Sequence, residues 1–194
     1  LFRPDAVDCA LFTPVLKGSM RTERNLTIGF VGRITESKGV KVLLHAFAAL
    51  GGHHRLVLVG RGDLEIELKQ TAERLGVEDR TVILPPVLHS EMPEVMRSFD
   101  ILVLPSLETL YWREQFGRVL IEGMACGIPV VASRSGSIPE VVGDTGVLFE
   151  SGNTTSLKES LASLIASPSK REELGRKGRE RVLQNYDVTV AAEA

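Results

Sequence analysis

The stretch EQFGRVLIEGMACGIPVVA, residues 114–132, predicts a buried helix followed by a buried strand. Residues 116–126 are apolar nearly all round, which is typical of a helix enclosed within an α/β domain. Gly127 supplies a helix stop, and the apolar run after it has the length and composition of a buried strand. The rest of the fold can be interpreted outward from this helix and strand.

Two carboxylates mark the same stretch. Glu122 lies in the apolar part of the helix, where an unpaired charge would cost several kcal/mol. Glu114 precedes the Phe-Gly pair that opens the helix. Because perturbed carboxylates cluster at functional sites, these two residues predict a ligand clamp around the helix start. The alternative is a solvated Glu114 and a Glu122 that is salt-bridged internally.

Strands and helices alternate along the whole chain. Buried strands are predicted within residues 26–32, 54–62, 81–86, 100–106, 128–133 and 146–149. Helices are predicted at residues 38–50, 63–75, 92–99, 116–126, 153–167 and 169–185. Continuous apolar strands that alternate with helices predict an α/β fold, with a doubly wound, Rossmann-like parallel sheet covered on both faces.

The composition narrows the function classes. A chain of 194 residues, 43% hydrophobic and 25% charged, fits one large globular domain. The net charge of −2 gives no support for a nucleic-acid surface. No apolar run approaches the roughly 20 residues that span a bilayer. Cys9 and Cys126 are far apart in the sequence, so we expect reduced thiols and a cytoplasmic protein.

The two ends carry weaker patterns. Residues 1–25 contain prolines and no sustained period, which predicts an interdomain linker or an ordered peripheral segment and not a core element. The domain is expected to cover residues 26–186, and residues 187–194 are expected to begin a C-terminal tail. Because the sequence opens without Met, we expect it to be a piece of a longer protein.

Basic residues and glycines follow the first predicted strand. In an open α/β sheet, ligands bind beyond the carboxyl ends of the strands. Gly32-Arg33 and Lys38-Gly39 combine two cations with a close-turning backbone, so the loop could cradle a diphosphate. The alternative is a pair of solvated charges. At the later helix start, Phe116 and Gly117 would present bare backbone amides to a phosphate.

Other loops are less specific. Residues 60–63 (GRGD) begin a dinucleotide fingerprint, but Glu65 stands where its third glycine belongs. We therefore predict tight packing and a helix cap at Asp63, and NAD binding is disfavoured. Val87 follows two prolines and could meet a base edge through its backbone, or belong to a rigid turn. The small residues of 133–140 allow close approach to a ligand, or form a flexible connection.

Metal and nucleophile patterns are missing from the sequence. The four histidines, at positions 45, 53, 54 and 89, have no metal-ligand spacing with Cys, Asp or Glu. Neither a nucleophile elbow nor a Cys-His pair is present. We therefore expect no structural metal, and a site that works by binding and by charge stabilisation.

These motifs together resemble a known family. The pattern GR-x4-KG (32–39), the PS pair (105–106), EQFGRVLIE (114–122) and GMACGIPVVASRSGSIPEVV (123–142) are similar to retaining GT-B glycosyltransferases of family 4, the group 1 enzymes. The resemblance covers residues 26–186 and is most specific over 105–150. It implies that the chain is the C-terminal, donor-binding half of a GT-B fold. The N-terminal, acceptor-binding domain is expected to lie outside this chain.

The resemblance also implies roles for single residues. Arg33 and Lys38 would neutralise the donor diphosphate and stabilise it as it leaves, while Glu114 would bind hydroxyls of the donor sugar. Glu122 would accept the ribose hydroxyls. The implied catalytic residues are thus Arg33, Lys38 and Glu114, and the implied donor-binding residues are Gly32, Val87, Phe116, Gly117, Arg118, Val119 and Glu122.

The implied reaction is sugar transfer from a nucleoside-diphosphate sugar, such as a UDP- or GDP-sugar, with retention and front-face attack. The resemblance implies neither a cofactor nor a catalytic metal. The acceptor, a glycan, lipid or small molecule, would bind through the N-terminal domain. That missing half would also make any peripheral membrane contact, and the fragment alone is expected to be inactive.

Departures from the family pattern are few. Gly123 stands where alanine is commoner, and SGS (135–137) replaces a frequent Gly-Gly. The loop LETLYWR (107–113) is longer than the shortest versions, a length that would reshape the sugar pocket. Two alternatives remain: a related GT-B epimerase or phosphorylase, and a nucleotide-binding module without activity. A phosphorylase needs a pyridoxal-phosphate lysine that no segment suggests, and a sugar-side Glu114 argues against a bare nucleotide module.

Overall fold

A computed structural model describes residues 6–14 and 25–193 of the chain. It contains a six-stranded sheet in the order β3-β2-β1-β4-β5-β6. The strands are β1 Thr27–Val31, β2 Arg55–Val59, β3 Thr81–Leu84, β4 Ile101–Leu104, β5 Val130–Ser133 and β6 Val147–Phe149. Every neighbouring pair is parallel. The predicted doubly wound α/β sheet is confirmed, and its order reverses between β1 and β4.

The helices connect these strands on both faces. They are α1 Val40–Ala48, α2 Glu65–Arg74, α3 Met92–Arg97, α4 Arg118–Ala125, α5 Ile138–Val142, α6 Thr154–Ile165, α7 Pro168–Asn185 and α8 Val188–Glu193, with short 3-10 turns at Glu36–Lys38 and Glu78–Arg80. The six predicted helices are present. The sequence did not predict α5 or α8, which have five and six residues. None of the described helices is long and apolar enough to cross a membrane.

In every strand except β3, alternate residues enter two separate cores. In β4, Ile101 and Val103 belong to the core shared with α1, α2 and α6, whereas Leu102 and Leu104 belong to the core shared with α4 and α5. Successive side chains of a strand point to opposite faces of the sheet. Because both faces are covered, both sets must be apolar, which explains the continuous apolar runs in the sequence.

The N-terminal segment corrects one prediction. Residues 6–14 contribute to the second core, where Phe12 is fully buried. The backbone N–H of Val7 donates to Tyr186 O at 2.8 Å, and the N–H of Val188 donates to Val7 O at 3.1 Å. The expectation that no core element lies within residues 1–25 is therefore wrong for 6–14, since isolated apolar anchors leave no periodic pattern. Residues 1–5 and 15–24 of that predicted linker lie outside the described part.

The loop after β2 differs from the prediction of a helix cap at Asp63. Asp63 does not cap α2, which has Leu64 at its N-cap position. Glu65 reaches back instead, and its carboxylate accepts from the N–H of Gly62 at 2.9 Å. The predicted tight packing is confirmed, because a Cβ at Gly62 would overlap the carbonyl oxygen of Ile34.

Candidate functional site

The candidate site lies where the sheet order reverses, beyond the carboxyl ends of β1 and β4. Such a reversal leaves a crevice in which open α/β sheets bind ligands. The two loops that border it are joined by their backbones, since the N–H of Leu107 donates to Ser37 O at 2.9 Å. Gly39 has a φ of 67°, and a Cβ there would overlap the carbonyl oxygen of Pro105. Only glycine fits this contact comfortably.

Lys38 and Glu114 meet at this crevice. The Lys38 Nζ lies 2.5 Å from Glu114 Oε2, and the side chains are only 16% and 11% exposed. Ser106 is fully buried, and its hydroxyl donates to the same carboxylate oxygen at 2.7 Å. The alternative of a solvated Glu114 is therefore wrong. Two residues that the family resemblance placed on the diphosphate and on the sugar are in direct contact in this structure.

Serine hydroxyls fasten the neighbouring loops to Ser106. Its carbonyl oxygen accepts from the hydroxyl of Ser133 at 2.6 Å and from that of Ser151 at 3.3 Å. These three serines follow or end β4, β5 and β6, so three strand ends are joined at one point. Sequence reasoning quoted Ser106 only as part of a motif. The pattern that could have identified it is a serine at or just after the ends of three successive strands.

The loop 133–140 holds the backbone of Glu114. The N–H of Ser137 donates to Glu114 O at 3.2 Å, and the N–H of Glu114 donates to Ser135 Oγ at 3.4 Å. Gly136 lies so close that a Cβ would overlap Glu114 O. The loop therefore holds the Glu114 backbone in place through these contacts and then leads into α5. The interpretation of the loop as a flexible connection is wrong.

Glu122 lies in the buried part of α4, as the sequence predicted. Burial raises its pKa from 4.5 to about 7, although the neighbouring Arg118 guanidinium acts in the opposite direction. Arg118 Nε is 3.2 Å from Glu122 Oε1, one helical turn away. The internal ion pair that the alternative required is therefore present, and it involves a residue also assigned to donor binding.

The loop after β3 reaches the same carboxylate. His89 is exposed, and its position in the sequence has no metal-ligand spacing. Its Nδ1 lies 4.0 Å from Glu122 Oε1, and its ring lies 5.4 Å from the ring of Phe12. Val87, the predicted base-contacting residue, is half-buried and packs against the second core. The β3 loop therefore approaches α4 through His89 and Glu122.

The start of α4 faces the crevice without a side-chain cap. The helix begins at Arg118, two residues later than predicted, because Gly117 adopts a left-handed φ of 76° at the N-cap position. Phe116 packs edge-on against Tyr186, with ring centroids 5.6 Å apart. Val119 packs against the second core. The first-turn N–H groups of a helix with no capping side chain are free to donate hydrogen bonds to an anionic ligand.

The remaining predicted residues follow β1. The N–H of Gly32 donates to Val59 O at 3.0 Å, which continues the sheet ladder past the strand end. Arg33 is exposed and forms no ion pair with any residue in 6–14 or 25–193. Within those same ranges, no group of three or more His, Cys, Asp or Glu side chains is arranged to hold a metal ion.

Comparison with known proteins gives a consistent family. Residues 17–181 match the family described as "Glycosyl transferases group 1". A D-inositol 3-phosphate glycosyltransferase of Segniliparus rotundus is 36% identical over 189 residues, which cover 90% of this chain and 41% of that protein. The chain therefore spans less than half the length of this curated relative.

Solved structures of glycosyltransferases share the fold. HepE of Anabaena, solved in complex with UDP and glucose, superposes with a TM-score of 0.85 at 25% identity, over 97% of this chain and 53% of that one. The C-terminal domain of the group 1 protein LpcC from Francisella tularensis gives a TM-score of 0.81 at 24% identity, over 94% of this chain and 99% of that one. The chain belongs to the group 1 glycosyl transferases and has the Rossmann-like fold of one half of a GT-B enzyme.

Proposed function

We propose that this chain is the donor-binding half of a retaining glycosyltransferase, which moves a sugar from a nucleoside-diphosphate sugar to an acceptor. The observation that carries the proposal is the contact between Lys38 and Glu114 at the reversal of the sheet order. A cation suited to a diphosphate and a carboxylate suited to sugar hydroxyls lie side by side there. A sugar-phosphate junction needs both groups at one place.

The ligand extends from this junction towards Glu122. The diphosphate lies between the exposed Arg33, Lys38 and the uncapped start of α4, and Gly32, Gly117 and Val119 line it through their backbones. The ribose diol donates hydrogen bonds to Glu122, and the base lies against the backbone of Val87. The edge of the base lies close to His89, whose Nδ1 is 4.0 Å from Glu122 Oε1.

The proposed chemistry uses the charges of the site. The bond between the anomeric carbon and the phosphate oxygen breaks, and the acceptor oxygen bonds to the same face of that carbon. The acceptor proton passes to the departing phosphate oxygen. Arg33 and Lys38 stabilise the negative charge that develops on the diphosphate, so the reaction proceeds without a metal. Glu114 orients the sugar and takes no part as a nucleophile.

Relatives suggest which donors to test first. The Anabaena neighbour was solved with UDP and glucose, which supports a UDP-sugar as the donor here. The acceptor and any membrane contact belong to the half that this chain does not contain, so we expect no transfer by the chain alone. The two buried free thiols, Cys9 and Cys126, support a reducing, cytoplasmic location.

The test is calorimetric titration with UDP, UDP-glucose, GDP and GDP-mannose. We expect the wild-type chain to bind one nucleoside diphosphate together with its matching nucleotide sugar, either UDP and UDP-glucose or GDP and GDP-mannose. Glu122→Ala should weaken the binding of the nucleoside diphosphate and of the nucleotide sugar alike, because both ligands contain the ribose that Glu122 binds. Glu114→Ala should weaken only the nucleotide sugar. Glu159→Ala, an exposed glutamate on α6, is the control for loss of charge. Absence of binding by all four ligands, or equal losses in both site variants, would contradict the proposal.

A further inference from the structure

The loop 107–113 carries the only tryptophan of the chain, Trp112, at the edge of the crevice. The loop is anchored on two sides, since the N–H of Leu107 donates to Ser37 O at 2.9 Å and the N–H of Glu108 donates to Ser151 Oγ at 3.0 Å. Its first residues are therefore fixed to the loops after β1 and β6.

A turn then directs Trp112 back towards the site. The N–H of Thr109 donates to Trp112 O at 2.8 Å, and the N–H of Trp112 donates to Thr109 Oγ1 at 3.0 Å. The two residues at the tip are almost fully exposed, Leu110 at 95% and Tyr111 at 96%. Trp112, in contrast, is half-buried. Of three consecutive large side chains, only the third is held against the protein.

The indole lies against the ion pair at the centre of the site. Lys38 Nζ is 5.2 Å from the ring centroid of Trp112, and the same nitrogen binds Glu114. Trp112, Lys38 and Glu114 therefore form one continuous surface. An aromatic wall beside a few convergent polar groups is the usual composition of a small-molecule pocket. A pyranose presents hydroxyls at its rim and C–H groups on its faces, so it matches a carboxylate and an indole at the same time.

We propose that Trp112 is a specificity-determining residue whose indole forms the apolar wall of the donor-sugar pocket. The inference rests on the proposed function, because it assigns the sugar to the space beside Glu114. The role requires that Trp112 senses the sugar and not the nucleotide.

Variants at two neighbouring positions test this role. Trp112→Ala should weaken UDP-glucose by about five- to tenfold, as expected for loss of one aromatic contact, with UDP affinity unchanged. Trp112→Phe should keep most of the UDP-glucose affinity. The matched control is Tyr111→Ala, which removes an adjacent aromatic ring that points to solvent. GDP and GDP-mannose serve as the second ligand pair. An equal loss of nucleotide and nucleotide sugar, or no loss of either, would overturn the inference.

Fluorescence of the wild-type chain gives a second readout that needs no variant. Because Trp112 is the sole tryptophan, its quenching by acrylamide reports on that one side chain. UDP-glucose should protect Trp112 from acrylamide, whereas UDP should leave the quenching unchanged. Binding of both ligands without protection would overturn the inference and leave the proposed function intact. Failure of the wild-type chain to bind any of the four ligands would reject both.

Discussion

Lys38 and Glu114 are 76 positions apart in the sequence, yet their charged groups lie 2.5 Å apart beyond the carboxyl ends of β1 and β4. The fold brings them together because the loop after β1 and the loop after β4 border the same crevice. The pair is largely shielded from water, so each charge depends on the other and on Ser106 for compensation.

The first prediction concerns the stability of this pair. Lys38→Met or Glu114→Gln alone should each lower the free energy of unfolding by about 2 kcal/mol, because the remaining charge loses its partner. The double variant should lose less than the sum of the two. Urea unfolding of the four proteins in a double-mutant cycle measures the coupling. Additive losses would show that the two charges do not stabilise each other.

Ser106 should act on the sugar through Glu114. Ser106→Ala removes a hydrogen bond to a buried carboxylate, and we expect a loss of about 2 kcal/mol in unfolding free energy. UDP-glucose affinity should fall, while UDP affinity should stay the same. Ser133→Ala is the control, because it removes a buried hydroxyl that contacts the Ser106 carbonyl and not Glu114. If Ser133→Ala changed the ratio of UDP-glucose affinity to UDP affinity equally, the effect would belong to the joined strand ends and not to the bond from Ser106 to Glu114.

Glu122 should make stability depend on pH. Its pKa is raised from 4.5 to about 7 by burial, so the folded chain binds this proton more tightly than the unfolded chain. The group therefore contributes stability that is full below pH 4.5 and is lost as the pH rises through about 7. Glu122→Gln lacks this titration. The stability of the wild type relative to Glu122→Gln should fall by up to about 3 kcal/mol across that range.

Urea midpoints of the wild type and Glu122→Gln, measured from pH 4.5 to pH 8, check this sign. The difference between the two proteins cancels the titration of all other groups. A difference that stays constant, or that grows in favour of the wild type at high pH, would show that Glu122 is fully ionised through its contact with Arg118.

The sheet could be predicted because the patterns that indicate strands and helices lie within short stretches of the sequence. Each buried strand shows a continuous apolar run and the long helices show a regular period, so the six strands and six of the eight described α-helices follow from short windows. The cap of α2 was missed because Asp63 and Glu65 both fit a helix start, and the choice depends on which one reaches Gly62. Residues 6–14 were missed because their anchors bind α7 and the residues after it, at the far end of the chain.

The candidate site was only partly predictable. Lys38, Glu114 and Glu122 stood out by charge in a motif or in an apolar helix. Lys38 and Glu114 meet at the crevice, and Glu122 pairs with Arg118 within α4. Their partners did not stand out. Ser106 was quoted only within a motif and Trp112 only within a long loop, and the meeting of separate loops gives both of them their contacts with the ion pair. Contacts between loops depend on the whole topology, which no short window contains.

Arg33 should serve the ligand and not the fold. It is exposed and follows the carboxyl end of β1, whereas Arg55 is exposed at the opposite, amino end of β2. Arg33→Met should weaken UDP about tenfold, as expected for loss of one charge-assisted phosphate contact, and should leave uridine binding unchanged. Arg55→Met is the matched control and should change neither. A loss of uridine affinity equal to that of UDP would reject the diphosphate assignment.

Gly39 sets the position of Lys38 and of the crevice wall. Its φ of 67° lies in the left-handed region, and a Cβ would overlap the carbonyl oxygen of Pro105, the residue directly after β4. Gly39→Ala must therefore move one of the two loops. We expect a loss of about 3 kcal/mol in unfolding free energy, since left-handed strain and a backbone overlap act together. UDP affinity should fall as well, because Lys38 moves with the loop.

Gly51→Ala provides the matched control for this effect. Gly51 is exposed, and a Cβ there would meet no atom within 4 Å, so its replacement should change the free energy of unfolding by less than about 0.5 kcal/mol. Urea unfolding and UDP titration of both variants separate the contact at Pro105 from the general effect of removing a glycine. If Gly39→Ala were as stable as Gly51→Ala and bound UDP normally, the two loops would tolerate separation, and the close backbone contact would not position Lys38.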